Sequence, residues 1–277
     1  MNINDNSITF HDEKFTFPLI NVCFINLNKR TDRLNKISNH FEQLKNKNQV
    51  TFIQNIHRIE AIEDTTPSKG CMKSHKEAII MAQEKSWPFV MVLEDDARFN
   101  NNIDESWINI MNDLKHVEWD IIFGATVRMG RKDATYFSDH LLCLTSPQGI
   151  FTGTHCMIYH SRSYKNIIKL IDDELKSNLP YHIDLLLSTK YPHNNNNNNH
   201  NNNHNNVHNN PKPNILLSVP FLALFNEHDV SDVRIGKDTQ IDYDNVVYSQ
   251  NKAIEMMNFL IMKKKQNNNN NNNNNNN

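Results

Sequence analysis

The chain predicts an α/β fold, a mostly parallel central sheet flanked by helices. Three observations lead there. Short apolar runs alternate with amphipathic stretches of helical period, the runs are too short for helices, and polar or charged residues crowd directly after several of them. In open α/β sheets the carboxyl ends of strands are where ligands gather, so those crowded exits become the candidate sites.

Taken in order, Ile20–Asn26 (I-N-V-C-F-I-N) reads as a buried strand ending in polar residues. Residues 32–47 put Leu34, Ile37, Phe41 and Leu44 at helical spacing, and 50–56 reads as a second strand. Residues 74–85 form a helix behind Gly70, with Ala78, Ile79 and Ala82 on one face. Residues 88–93 (P-F-V-M-V-L) are the most hydrophobic strand, entered through a proline and left through Glu94-Asp95-Asp96. A helix over 103–114, strands over 119–123 and 155–159, and an amphipathic helix over 161–175 follow, and strand-like sequence resumes at Ile215.

Residues 193–210 are almost entirely Asn and His, and 267–277 are a pure Asn run. Such tracts bury no apolar surface and cannot offset the entropy of ordering. One domain is therefore expected over 18–192 and 211–262. An extension at 1–17, a disordered insertion at 193–210 and a disordered tail at 263–277 surround it. His200, His204 and His208 recur every four residues, but a polar repeat explains them and no function is assigned. The tracts also account for an apolar fraction of only 38% in 277 residues.

Lys and Arg total 29 against 31 Asp and Glu, a net charge of −2, which gives no support to a nucleic-acid binder. Four scattered cysteines without a C-x-x-C pair read as free thiols rather than a zinc site. The N-terminus has neither a basic region nor an apolar core of the secretory kind, and no run suits a transmembrane segment. The sequence as written therefore reads as cytoplasmic, with the endoplasmic reticulum or Golgi reserved for an incomplete N-terminus.

The first candidate site is the exit of the first strand, Asn26-Leu27-Asn28-Lys29-Arg30-Thr31-Asp32-Arg33. Thr31 or Asp32 would cap the following helix and leave its N–H groups to an anion, for which the arginines are suited. Its alternative is a solvated turn whose charges pair with Asp32 and Glu42. The second is Glu94-Asp95-Asp96, three mutually repelling carboxylates that suit a magnesium or manganese ion on a nucleotide diphosphate. An acidic loop with Arg98 as counter-ion is the competing account. A third is Gly70-Cys71-Met72-Lys73-Ser74-His75, where a glycine allows close backbone approach to a ligand and Ser74 and His75 would hydrogen-bond it. Capping by Ser74 beside a surface histidine is its alternative. Asp184, beside an apolar stretch, says little by itself.

Together these pieces resemble glycosyltransferase family 25. The resemblance runs from Phe24-Ile25-Asn26-Leu27 with Arg30, Asp32 and Arg33, through Arg58-Ile59-Glu60-Ala61-Ile62 and Gly70-Cys71 with Ser74-His75. It is strongest at Val92-Leu93-Glu94-Asp95-Asp96 and continues weakly through Asp120-Ile121-Ile122, Gly153-Thr154 before Tyr159, and His182-Ile183-Asp184. It implies a GT-A-like nucleotide-sugar fold. It also implies an inverting, metal-dependent transfer of galactose or glucose from a UDP-sugar to a hydroxyl on a glycan, a lipid-linked sugar or a protein. On this resemblance Asp95 and Asp96, with Glu94, hold Mn2+ or Mg2+. Asn26, Arg30, Asp32, Arg33 and Ser74 face the nucleotide sugar, and Asp184 or His75 acts as base. His228 is a further metal or phosphate ligand. A non-catalytic relative serving as a binding or adhesion module is the alternative. A nucleotidyltransferase would open with a glycine-rich loop that a chain with 6 glycines does not show.

Overall fold

Hydrophobic runs at β spacing and stripes at helical spacing sort into two cores on either side of one sheet in a computed structural model. The described residues are 18–130, 132–144, 150–191, 214–225 and 239–274. In chain order the elements are β1 (Ile20–Asn26), α1 (Thr31–Asn46), β2 (Ile53–Glu60), α2 (Pro67–Glu84), β3 (Phe89–Glu94), β4 (Ala97–Phe99), α3 (Ile103–Leu114) and β5 (Ile121–Phe123). They continue with β6 (Ala134–Ser138), β7 (Leu141–Leu144), β8 (Cys156–His160), α4 (Tyr164–Glu174), α5 (Ile183–Lys190), β9 (Ile215–Ser218), β10 (Ala223–Phe225) and α6 (Thr239–Asn274).

The main sheet has 8 strands in the order β2-β1-β3-β8-β5-β9-β7-β6. β2, β1, β3, β5, β9 and β6 point one way, and β8 and β7 run against them. This is the α/β sheet the alternation predicts. Because side chains alternate across a strand, Val22, Phe24, Met91 and Leu93 face α1 and α3, while Cys23, Ile25, Val90 and Val92 face α2 and α4. A small antiparallel pair, β10 with β4, lies just beyond the end of β3.

Several boundaries differ from expectation for physical reasons. β2 begins at Ile53 rather than residue 50 and runs to Glu60, because it pairs with β1 along its whole length, from Ile20↔Ile53 to Asn26↔Glu60. As an edge strand it is held by backbone pairing, so Gln54, Asn55 and Arg58 can stay polar. α2 starts at Pro67, well before residue 74, since proline is pre-shaped for a helix's first turn. Gly70 therefore lies inside α2, and its close approach is to the chain itself. A β-carbon there would sit 2.5 Å from the Ile62 carbonyl oxygen, so only glycine lets α2 pack against the exit of β2. α6 continues past residue 262, the expected end of the ordered part, and Lys265 Nζ lies 3.2 Å from Asp139. The Asn/His insertion falls outside the described residues.

Candidate functional site

β1 and β3 are adjacent and parallel, so their polar exits lie side by side. A cavity of about 360 Å3 opens there, and Lys29, Arg33, Cys71, Ser74, Glu94, Asp95 and Asp96 are among its walls. The acidic run is thus not splayed into solvent: Asp95 and Asp96 are 5% and 4% exposed.

On the α1 side, Arg33 lies on the buried stripe of its helix with Ile37, Phe41 and Leu44. Its guanidinium reaches across to the acids, with one terminal nitrogen 2.7 Å from Asp95 Oδ1 and 3.4 Å from Asp96 Oδ2. Asn26 completes this wall. Its amide donates to Asp95 Oδ2 at 2.7 Å and to the Arg30 carbonyl at 3.1 Å, and its oxygen accepts from Arg58 at 2.9 Å. The pattern sets the amide's orientation, since a flipped Asn26 would aim donor at donor. Burial is the largest influence on Asp95 and pushes its carboxyl above the usual range, despite Arg33 and Asn26.

On the α2 side, Glu94 accepts a short hydrogen bond from Thr154 Oγ1. Cys71 Sγ is 3.9 Å from Glu94 Oε1, and His75 Nε2 is 3.7 Å from the same oxygen, beyond hydrogen-bond length. Burial opposes charge on Glu94, but His75, Thr154 and His155 outweigh it and hold the carboxyl below the usual carboxylate range. His75 is wholly buried, with Nδ1 3.1 Å from Tyr159 Oη. Desolvation pushes the Cys71 thiol and the Tyr159 hydroxyl well above their usual ranges. Ser74 is spent on the fold: it donates to the Gly70 carbonyl and accepts from Ile62 N–H, both at 2.8 Å.

The sequence candidates therefore separate. Asn26, Arg33, Asp95 and Asp96 converge, as do Glu94, Cys71 and His75 on the opposite side. His75 does not line the cavity and sits behind Glu94 instead of on the surface, so it supports that carboxylate rather than meeting an acceptor. Arg30 and Asp32 pair with each other through two 2.9 Å bonds at the protein surface. Neither Thr31 nor Asp32 caps α1; Arg30 occupies the cap position without a side-chain cap bond. Arg98 bonds the carbonyls of Asp95 and Ala97, and Arg33 meets the carboxylates of Asp95 and Asp96.

Asp184 accepts the Gly153 N–H at 2.7 Å and acts electrostatically on Cys71. His228 lies outside the described residues. Arg58, Thr154 and Tyr159 carry weight that the site reading did not assign them. Arg33's depth was legible, since it stands four residues ahead of Ile37 on the apolar stripe.

No family model matches the chain, and no curated protein matches it. Solved structures overlap it. A glycosyltransferase involved in the glycosylation of the major capsid of PBCV-1 does so at TM-score 0.40 and 15% identity, over 60% of this chain and 72% of that one. The glycosyltransferase GlyE of Streptococcus pneumoniae does so at 0.31 and 10%, over 61% and 42%. Mouse xyloside xylosyltransferase 1 gives 0.32 and 7%, over 61% and 80%. At this level of overlap the chemistry of the cavity, not the likeness, has to carry any functional reading.

Proposed function

We propose that this chain is a metal-dependent inverting glycosyltransferase of GT-A type, akin to family 25, that moves galactose or glucose from a UDP-sugar to an acceptor hydroxyl. The observation that carries the reading is the convergence of Asp95, Asp96 and Arg33 on a cavity at the carboxyl ends of β1 and β3.

The residues fit a hard divalent ion. Asp95 and Asp96 are carboxylates gathered around the buried Arg33 guanidinium, while the outer charges pair off, Lys29 with Glu63 at 2.9 Å and Lys73 with Asp64 at 2.6 Å. A diphosphate entering such a cavity would be repelled without a cation. Carboxylate oxygens suit Mg2+ or Mn2+, which need few protein ligands beside substrate phosphates. Asp96 and Asp95 would hold the ion, and when bound it would offset the charge that develops on the leaving diphosphate.

The chain's own residues do the rest. Asn26 and Arg33 keep Asp95 aimed at the cavity by bonding both of its oxygens. Lys29, at the cavity wall and free to exchange Glu63 for another anion, meets the outer phosphate. Asp184, steadied by the Gly153 N–H at 2.7 Å, is not among the cavity walls, and it is the carboxylate we assign to take the acceptor proton from an acceptor bound on that side. A nucleotide sugar bound here should raise the melting temperature with concentration in the presence of Mn2+. UDP release should follow from UDP-galactose or UDP-glucose. Absence of stabilisation and hydrolysis across all nucleotide sugars would overturn the proposal, whereas binding without turnover would leave a binding module.

A further inference from the structure

The α2 side of the cavity holds three groups that the transfer reading leaves unused. Cys71 and His75 lie four residues apart on α2, so they share a helix face, and Glu94 at the end of β3 meets them. One ligand-capable atom from each lies within 4.8 Å of the others, and no other trio does so among the described residues. Independently, His75 Nε2 is fully buried and has no hydrogen-bond partner among the described residues. A buried polar atom left that way is costly and calls for an explanation.

We propose that Cys71, His75 and Glu94 form a binding site for a divalent ion of the zinc class, with a fourth position facing the cavity. The spacings suit it. Bonds of about 2.0–2.3 Å in a tetrahedron place neighbouring ligand atoms roughly 3.4–3.8 Å apart, and the distances to Glu94 Oε1 are 3.7 Å from His75 and 3.9 Å from Cys71. The surroundings suit it too. Tyr159 Oη lies 3.1 Å from His75 Nδ1 and holds the ring; in the tautomer with the proton on Nδ1, which an ion on Nε2 would select, Tyr159 Oη accepts it and the Nε2 lone pair faces the site. Thr154 steadies Glu94. A thiolate, an imidazole and one carboxylate favour zinc over magnesium, whereas Asp95 and Asp96 offer only hard oxygen. Cys71 and Glu94 both line the cavity, so an ion between them has an open side there. Binding displaces the Cys71 thiol proton to water, one proton per ion.

The site stands apart from the transfer reading, and its test reads metal rather than turnover. The full chain, stripped with chelator and kept reduced, is titrated with Co2+. A sulfur-to-cobalt charge-transfer band saturating at one ion per chain, and bleached by Zn2+, is expected. The histidines of the Asn-rich tract contribute no sulfur and cannot produce that band. Cys71→Ser should abolish it, His75→Gln should weaken ion binding at least ~10-fold, and Tyr159→Phe should weaken it about 10–100-fold. Cys143→Ser and Asp96→Asn should leave the band unchanged. Absence of the band in the parent chain overturns the proposal, as does its survival in folded Cys71→Ser or its loss in Cys143→Ser.

Discussion

Glu94 and Asp95 are neighbours in the chain, yet the alternation of β3 sends one toward α2 and the other toward α1, and the partners they meet differ in kind. Asp95 meets a buried guanidinium and an amide, a fixed cationic wall. Glu94 meets a hydroxyl, a thiol and an imidazole, groups that are neutral or can become so. A run of three acids is therefore two half-sites back to back, and the same residue type does different work on each side. Counting carboxylates in a motif does not reveal this; the faces they occupy do.

Changes on the two sides should separate accordingly. The largest effect is expected from Arg33→Met, which leaves Asp95 buried without its cation. Breaking such a pair costs about 3–5 kcal/mol, read as a fall in the urea midpoint. Glu94→Gln should lose much less, since Thr154 can still bond the amide oxygen. Equal losses would erase the distinction between the sides. Next comes Asp96→Asn, expected to cut UDP release about 100-fold, or ~2.7 kcal/mol in the barrier, with little change in melting temperature. Unchanged turnover would move the transfer chemistry off the α1 side.

A smaller, pH-dependent contrast involves histidines. His40 Nε2 accepts the Phe99 N–H at 3.0 Å on the α1 side, and burial, helped by Arg98 and Lys47, lowers its pKa from 6.5 to about 4. Between those values the unfolded chain binds the proton and the folded one does not, so stability falls as pH drops from 6.5 toward 4. His155, lowered by burial to about 4 on the other side, titrates in the same window. His40→Gln keeps an acceptor but cannot charge, so part of that slope should vanish in denaturation curves taken across the window. An unaltered slope would assign it to the other histidines that burial lowers, His57, His155 and His160. The smallest effect is expected at Asp32, whose bonds to Arg30 are solvent-exposed. Exposed pairs contribute little, and Asp32→Asn should leave both the urea midpoint and donor binding where they were.

Much was legible before the fold. β1, α1, β3 and α3 follow from the apolar period, and their crowded exits are where the cavity lies. β6, β7, β4 and β10 were not legible, because they are short and held by partners rather than by their own pattern. Asp32 does not cap α1 because its carboxylate is bonded to adjacent Arg30, the pairing that a solvated turn implies, and the close approach that Gly70 allows includes the Ile62 carbonyl of the chain itself.

Local information thus determined the elements and the residue types at their ends, since hydrophobic period and turn chemistry act over a few residues. Only the tertiary structure decided which acid faces which helix, that Arg33 meets an aspartate 62 positions away, and that Cys71, His75 and Glu94 gather. Those pairings depend on β1 and β3 lying side by side, and strand adjacency is set by packing of the whole sheet rather than by any one segment.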